Sequence, residues 1–336
     1  MRFVSGCESA VFLFLFFWSF ALGPTLEGRP QGNLEDFDRW LRRFRNPSEW
    51  KTLNLSYLRL EKLSKGISFF KNLEWLQLSG NELTTLPEEI GALRNLQGLI
   101  LSENQLIALP KEIGRLKNLK KIHLHYNYLT YLPLEIGNLE NLQELYLNYN
   151  SLKSLPKEIG KLKNLQKLEL PGNALEEIPK EIGQLQNLQD LNLSSNRLTA
   201  LPDEVGQILN LKSLRLDHNS IFHLPKEIGG LENLETLSAY GNSLEAVPEE
   251  IGQLRNLKEL DLSNNEISSL PKEIGTLKNL RILHLRDNPL TRLPEEIGQL
   301  QALEELILNP NVFPEEERQK LRELLPKCRI YYMNVR

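Results

Sequence analysis

Along most of the chain, leucine and other apolar residues recur with a fixed spacing of 23 positions. One unit, from Leu73 to Asn95, reads LEWLQLSGNELTTLPEEIGALRN. In its Leu76-Gln77-Leu78 segment the two leucines and the glutamine point to opposite sides, because side chains alternate along a strand. Leu93 then returns to the apolar side. The pattern predicts one short strand with one buried face in each unit.

Polar and conformationally special residues recur at the same spacing. Asn81 follows the strand, and its amide suits backbone groups that a turn leaves unpaired. Pro87 predicts the start of a short helical turn, where a missing N–H costs nothing. The glutamate two residues later, Glu89, would face the positive end of that turn. We expect Gly91 to provide a left-handed exit from the turn.

The segment LxxLxLxxNxL within this unit is the signature of a leucine-rich repeat. Twelve units begin at residue 50 and at every twenty-third residue up to 303. A single unit cannot bury its leucines, whereas stacked units bury a continuous core. The predicted fold is an α/β leucine-rich-repeat solenoid, a curved horseshoe. It has a parallel concave β-sheet of about 12 repeats and short helical turns on the convex side.

The ends of such a stack need covers, and the sequence supplies a candidate at each. Residues 22–49 contain an amphipathic segment at 33–44, which predicts a linker followed by an N-terminal capping helix. The twelve repeats occupy 50–313. Residues 314–336 predict a C-terminal cap, made of a charged helix and then a last strand at 328–332. These assignments leave no residues for a catalytic domain.

The amino terminus carries an apolar run of 13 residues at 10–22. A bilayer span needs about 20 apolar residues, so this run is typical of a secretory signal peptide. The predicted signal peptide is 1–21, and an uncleaved anchor is the alternative. We therefore expect an exported protein, secreted or held at the cell surface or in the periplasm, with no membrane span in its mature form. Cleavage removes Cys7 and leaves Cys328, a small buried residue of the cap, as the only thiol.

Composition and charge exclude several function classes. Lys and Arg total 40 against 44 Asp and Glu, a net charge of −4, whereas nucleic-acid binders are usually basic. No glycine-rich phosphate loop occurs, and no metalloprotease, serine-hydrolase or kinase motif. The sequence therefore predicts no enzyme, no cofactor and no nucleic-acid partner.

The repeat LPKEIGxLxNLxxLxLxxNxL, as at Leu155 to Leu175, resembles the bacterial, leptospiral-type leucine-rich-repeat family. The ending LLPKCRIYY at 324–332 is similar to the closing segment of that family. The resemblance covers roughly residues 50–332. It implies an exported or surface protein that binds host macromolecules, and several family members are regarded as adhesins or virulence factors.

Specificity should lie in residues that point outward from the strands, at positions three, five, seven and eight of each unit. In the fourth and fifth units, five of these eight positions carry aromatic or imidazole side chains, with Tyr128 and Tyr131 just beyond the strand edge. Exposed aromatic residues are enriched at protein interfaces. Tyrosine also simply suits strands, which is the structural alternative. The predicted partner-binding residues are His123, His125, Tyr126, Tyr146 and Tyr149.

A second group of outward residues lies further along the predicted sheet. It mixes charged, imidazole and phenol side chains, so ordinary surface decoration is the favoured interpretation. Its members are Arg215, Asp217, His218, Tyr240, Asp261, His284, Arg286 and Asp287. Zinc needs three or four close ligands. The sequence shows no such set, so no metal is predicted.

The sequence thus predicts a non-catalytic module that captures a protein, and the resemblance implies a host surface or matrix protein. The alternatives are a scaffolding protein of the bacterial envelope and a glycan binder that uses the tyrosines as stacking platforms. Of the 48 outward positions, nine are acidic and four basic, which opposes phosphate and sulfated glycans.

One outward strand position departs from the repeat. Pro171, in the sixth unit, removes a donor from the ladder of backbone hydrogen bonds. We expect a local break in the curvature of the sheet there, next to the tyrosines, which an even, fully paired sheet through units five to seven would contradict.

Overall fold

The computed structural model describes residues 46–309 and 313–332, and within them the strands form a single parallel sheet. The thirteen described strands lie side by side in chain order. They are β1 Thr52–Asn54, β2 Trp75–Gln77, β3 Gly98–Ile100, β4 Lys121–His123, β5 Glu144–Tyr146, β6 Lys167–Glu169, β7 Asp190–Asn192, β8 Ser213–Arg215, β9 Thr236–Ser238, β10 Glu259–Asp261, β11 Ile282–His284, β12 Glu305–Leu308 and β13 Arg329–Tyr332.

The return path of each repeat contains one short turn of 3-10 helix, and adjacent turns pack on one another from η2 onward. The repeat proline stands immediately before its turn, as Pro87 does before η3. The twelve described turns are η1 Pro47–Glu49, η2 Lys65–Phe69, η3 Glu88–Ala92, η4 Lys111–Arg115, η5 Leu134–Asn138, η6 Lys157–Lys161, η7 Lys180–Gln184, η8 Asp203–Gln207, η9 Lys226–Gly230, η10 Glu249–Gln253, η11 Lys272–Thr276 and η12 Glu295–Gln299.

From β1 to β12, neighbouring strands pair at a constant offset of one repeat. Leu76 pairs with Leu99, and Leu99 pairs with Ile122. These inward residues are fully buried and belong to one core that runs through all the repeats. The residues between them point away from the core, and we call the surface that they form the sheet face. The predicted solenoid is confirmed.

The repeat asparagine joins each unit to its neighbours. The Nδ2 of Asn127 donates to the carbonyl oxygens of Leu101 and Leu124, each at 3.0 Å. Its Oδ1 accepts from the backbone N–H of Leu106 at 3.0 Å. The same three contacts recur at Asn104, one repeat earlier. The predicted role of this asparagine is confirmed, because backbone groups that the turn leaves unpaired are satisfied by one buried amide.

The repeat glycine does not provide the predicted left-handed exit. Gly91 lies inside η3 and has no positive φ. A β-carbon built on it would lie 2.8 Å from the carbonyl oxygen of Glu112, in the next turn. At Gly114 the corresponding distance to the carbonyl oxygen of Glu135 is 2.6 Å. Glycine is needed here because adjacent 3-10 turns approach too closely for a side chain.

Left-handed backbone occurs instead at the eighth position of the repeats. Tyr126 and Tyr149 have φ values of 56° and 53°. This conformation costs a residue other than glycine about 1–2 kcal/mol and is unusual for a bulky side chain. The other repeats that adopt it have these residues in the same position: Tyr57, Gly80, Glu103, Gly172, Ser195, His218, Gly241, Asn264 and Asp287.

Pro171 does not break the sheet, and that prediction is wrong. β6 pairs in register with β5 on one side and with β7 on the other. The carbonyl oxygen of Pro171 accepts from the backbone N–H of Tyr149 at 2.8 Å. The missing donor is tolerated because the N–H groups that bond to the next repeat belong to the residues on either side of Pro171. Leu170 donates to the carbonyl oxygen of Asn192 at 2.9 Å, and Gly172 donates to that of Ser194 at 3.1 Å.

A helix and a strand cover the last repeat. The helix, α1 (Glu315–Leu324), buries Leu321. The final strand extends the sheet, with Ile330 paired to Leu306. The predicted C-terminal helical cap is confirmed.

The predictions for the amino terminus, the signal peptide at 1–21 and the capping helix at 33–44, lie outside the described residues. Within the described part of the chain, none of the helices has the length and apolar character needed to cross a bilayer.

Candidate functional site

The structure brings the five predicted partner-binding residues together, and we call them the aromatic cluster: His123, His125, Tyr126, Tyr146 and Tyr149. The ring centroid of His123 lies 4.4 Å from that of Tyr146 and 5.8 Å from that of His125. The rings of Tyr126 and Tyr149 stack at 4.7 Å with 7° between their planes. His125 meets Tyr126 edge-on at 5.8 Å. The ring contacts are therefore continuous across two repeats.

Strand register explains one half of the aromatic cluster, and the eighth position explains the other. His123 and Tyr146 are paired neighbours in β4 and β5. Tyr126 and Tyr149 occupy the left-handed eighth position one repeat apart. The same backbone conformation presents both rings in the same orientation, so they lie nearly parallel.

Rings at the eighth position lean toward the following repeat. A β-carbon on Gly172 would lie 2.6 Å from Cδ1 of Tyr149, and one on Gly241 would lie 3.0 Å from Nδ1 of His218. The ring of Tyr57 approaches Gly80 in the same way. An aromatic residue followed one repeat later by glycine is therefore a sequence signal for a ring that lies flat along the sheet face.

Two ion pairs border the aromatic cluster. The Nζ of Lys121 lies 2.7 Å from Glu144, and the Nζ of Lys167 lies 3.2 Å from Glu169. The hydroxyl of Tyr146 donates to Glu144 at 3.1 Å and so fixes the orientation of its ring. Both lysines are thus compensated by carboxylates of the sheet face itself.

Partial burial keeps the imidazoles of the aromatic cluster uncharged at neutral pH. Burial lowers the pKa of His123 to about 4, and the neighbouring His125 adds to this decrease. Burial also lowers the pKa of His125, against the opposing effect of the Glu103 carboxylate. The pKa of the Tyr146 hydroxyl is raised by burial and further by Glu144. At neutral pH the two imidazoles and the Tyr146 hydroxyl are therefore uncharged.

Exposed apolar side chains are concentrated around the aromatic cluster. Of ten large apolar residues exposed in the described chain, six lie in repeats three to five: Ile107, Tyr126, Tyr128, Tyr131, Leu134 and Tyr149. Tyr128 and Tyr131 were expected beside the cluster, whereas Ile107 and Leu134 were not. The sequence did contain a signal for the exposure of Leu134, because the same position in neighbouring repeats holds the charged residues Glu88, Lys111 and Lys157. The exposed apolar residues of these repeats thus lie both on the sheet face and in the return path that leads to η5.

The second predicted group separates into two smaller sets. In the first, Tyr240 has the ring of His218 at 5.0 Å and the guanidinium of Arg286 at 5.8 Å. Asp217 accepts hydrogen bonds from the hydroxyl groups of Ser194 and Ser238 and from the backbone N–H of Tyr240. The Asp217 carboxylate is therefore engaged in hydrogen bonds that join neighbouring repeats of the sheet face. Arg215 is exposed, and Asp287 lies 3.8 Å from Arg286.

The second set is centred on His284. Its Nδ1 lies 3.5 Å from Asp261, and its Nε2 lies 3.0 Å from Glu305, a partner that sequence reasoning had not included. The Asp261 carboxylate raises the pKa of His284, partial burial opposes this, and Glu305 reinforces it. An imidazolium here bridges two carboxylates across three strands.

Metal binding and thiol chemistry receive no support from these sets. Among residues 46–309 and 313–332, no group of three or more His, Cys, Asp and Glu is arranged to hold a metal ion. Cys328 is half-buried in the cap, and burial raises the pKa of its thiol to about 11. The thiol is therefore protonated and weakly nucleophilic at neutral pH.

Comparison with solved structures gives relatives of the same repeat type. A Leptospira interrogans LRR protein is 37% identical over 90% of this chain and 100% of its own, with a TM-score of 0.46. The plant peptide hormone receptor RGFR1, in complex with RGF2, is 32% identical with a TM-score of 0.65, and the match covers 84% of this chain and 51% of the receptor. YopM from Yersinia enterocolitica is 27% identical with a TM-score of 0.69, and the match covers 92% of this chain and 61% of YopM.

The family comparison agrees with the architecture. A family model described as a leucine-rich repeat region matches residues 51–170, 158–243, 199–261 and 251–326. A search of curated proteins gives no match. The matched regions together span most of the chain and all of its complete repeats. The chain therefore belongs to the leucine-rich-repeat family.

Proposed function

We propose that this chain is an exported, non-catalytic module that holds a protein partner on the aromatic cluster and the adjoining edge of repeats three to five. The observation that carries the proposal is the concentration of exposed apolar side chains in that region. A contiguous exposed apolar patch on a soluble protein marks an interaction site. Rings with a polar tip suit such a site because they offer contact area at little entropic cost.

The choice of residue at the eighth position supports the same conclusion. The left-handed backbone there recurs in other repeats with glycine, serine or asparagine, so the fold does not require an aromatic side chain. Tyr126 and Tyr149 nevertheless occupy it in adjacent repeats and remain 53% and 52% exposed. Two neighbouring exposed rings that the fold does not require suit a binding surface.

The class of partner is a protein. RGFR1, at 32% identity, was solved in complex with RGF2, which supports a polypeptide ligand for this type of repeat. The sheet face carries more acids than bases, which disfavours phosphate and sulfated glycans. Neutral rings and an acidic surround instead suit a protein surface.

We further propose that the partner is a host cell-surface or matrix protein and that the chain acts as an adhesin-type, virulence-associated protein. The support is the apolar run at 10–22, typical of a secretory signal, together with the resemblance of the repeats to the leptospiral-type family. An envelope scaffold with bacterial partners is the competing function, and binding distinguishes the two.

The test uses residues 22–336 in binding to intact host cells, to protease-treated host cells and to bacterial envelope fractions. Two variants remove the stacked rings: Tyr126→Asn and Tyr149→Ser. Asn264 and Ser195 hold the same left-handed position in other repeats, so the fold accepts both replacements. Tyr57→Ser is the matched control, because Tyr57 is an exposed tyrosine at the eighth position of a distant repeat.

We expect saturable, protease-sensitive binding to host cells that each cluster variant weakens about tenfold or more, as interface anchors do, and that Tyr57→Ser leaves unchanged. Unchanged binding by the cluster variants would remove the aromatic cluster from the contact. Binding confined to envelope fractions would overturn the host assignment and favour the scaffold.

A further inference from the structure

We infer that the partner places a cationic side chain, an arginine, between Glu103 and the outer face of the Tyr126 ring. This inference rests on the proposed function and names the chemistry that the aromatic cluster selects. We call Glu103 and Tyr126 the cation site.

Geometry places the two residues side by side. One face of Tyr126 is covered by Tyr149, yet the residue remains 53% exposed. On its other side, the preceding repeat carries Glu103 in the same left-handed position, with a φ of 55°. The backbone N–H of Glu103 donates to the carbonyl oxygen of His125 at 3.0 Å, and that of Asn104 donates to the carbonyl oxygen of Tyr126 at 3.2 Å. Glu103 and Tyr126 are therefore direct neighbours in adjacent repeats.

Electrostatics shows that the Glu103 carboxylate reaches this region. It acts on the imidazole of His125, whose ring meets Tyr126 edge-on at 5.8 Å. Glu103 is itself exposed, so its carboxylate is open to a partner. A carboxylate and an aromatic π-face thus border the same exposed space.

The two lysines that border the aromatic cluster do not fill that space. Lys121 and Lys167 are engaged by Glu144 and Glu169. No ion pair of residues 46–309 or 313–332 includes Glu103. The site therefore keeps an uncompensated negative charge beside a ring whose face is also electronegative.

A guanidinium group can interact favourably with the Glu103 carboxylate and with the face of the Tyr126 ring at the same time. It stacks on an aromatic face, and its fork of N–H groups donates to a carboxylate. A neutral side chain would gain neither charge interaction, and an anionic one would be repelled by Glu103. At an exposed site each interaction contributes a fraction of a kcal/mol to about 1 kcal/mol, which together correspond to about tenfold in affinity.

The experiment selects peptides and then removes one charge from them. A random twelve-residue peptide library is selected on immobilised 22–336, and binders that the Tyr149→Ser chain retains are discarded. We expect the remaining peptides to share an arginine. Replacing that arginine by citrulline, its neutral isostere, should weaken binding about tenfold on the unmodified chain. On the Glu103→Gln chain the arginine and citrulline peptides should bind much more nearly alike.

The controls separate this inference from the proposed function. Glu103→Gln changes only an exposed carboxylate, and retained binding of the citrulline peptide shows that the site is intact. Tyr57→Ser should keep the full preference for arginine. Tyr149-dependent peptides with no citrulline effect would overturn the cation site and leave the proposed function standing. A selection that yields no Tyr149-dependent peptide would overturn both.

Discussion

The ring of Tyr149 lies against Gly172, the residue in the equivalent position of the following repeat. A β-carbon on Gly172 would lie 2.6 Å from Cδ1 of Tyr149, and the glycine has a φ of +69°. Gly172→Ala should therefore push the ring off its stack with Tyr126 and add the cost of left-handed alanine. We expect a loss of about 1–2 kcal/mol in the free energy of unfolding, measured by urea denaturation, together with weaker partner binding.

A double variant shows whether the ring is the cause. When Tyr149→Ser is already present, Gly172→Ala has no ring to displace, so it should affect stability and leave the residual binding as it was. If Gly172→Ala alone did not change binding, the position of the ring would not depend on the glycine.

The buried asparagine ladder should be far more important for stability than exposed asparagines are. Asn127→Ala leaves the backbone groups of Leu101, Leu106 and Leu124 without their side-chain partner. We expect a loss of about 3 kcal/mol, since each unsatisfied buried group costs about 1–3 kcal/mol and some will relax or find water. Denaturation by urea and by heat measures this loss.

Asn118→Ala is the matched control. The Nδ2 of Asn118 makes one exposed hydrogen bond, to the carbonyl oxygen of Arg94 at 2.9 Å. Its removal should cost at most about 1 kcal/mol. Equal losses for the two variants would show that burial of the amide is not what makes the ladder important.

His284 should stabilise the fold at mildly acidic pH and lose this effect in the alkaline direction. Its pKa is raised in the folded protein, first by Asp261, against partial burial, and then by Glu305. The stabilisation is therefore fully present below the ordinary histidine pKa and lost as pH rises through the folded value. His284→Gln should cost more stability at pH 5.5 than at pH 8.5, with NMR titration of His284 as the direct readout.

His123 should have the opposite pH dependence. Burial holds its folded pKa at about 4, below the ordinary 6.5, so the unfolded chain binds more protons between these values. Protein stability therefore falls as pH decreases from 6.5 toward 4. In His123→Gln this decrease should be smaller, which urea denaturation across that pH range measures. An unaltered pH profile would place His123 in solvent.

The repeat period was sufficient to predict the strands, the asparagine ladder and the meeting of His123 with Tyr146. In a stack each repeat contacts only its neighbours, so residues one period apart become adjacent. The period does not specify backbone conformation at an individual position. Tyr126 stands between His125 and Asn127 like an ordinary strand-edge residue, yet its φ is 56°. The stacking of Tyr126 on Tyr149 therefore appeared only in the structure.

The wrong predictions for Gly91 and Pro171 have the same origin, because the effect of each residue type depends on its structural surroundings. Glycine permits both left-handed backbone and close approach of neighbouring chains, and the sequence does not distinguish these uses at Gly91. Proline removes a backbone donor wherever it stands, but the effect on a sheet depends on whether the ladder of hydrogen bonds uses that donor. Here the donors to the next repeat are the N–H groups of Leu170 and Gly172, on either side of Pro171, and the repeat pattern does not show which residues donate.

Because the strands follow one another without interruption from β1 to β13, positions along the sheet can be counted in whole repeats. Neighbouring strands lie about 4.8 Å apart, and none is skipped along the described sheet. Inserting one complete repeat after β7 would move the His284 group one strand spacing further from the aromatic cluster without changing the contacts inside either. The separation between two groups on the sheet face is thus set by the number of repeats between them, and gain or loss of a repeat changes it by one strand spacing.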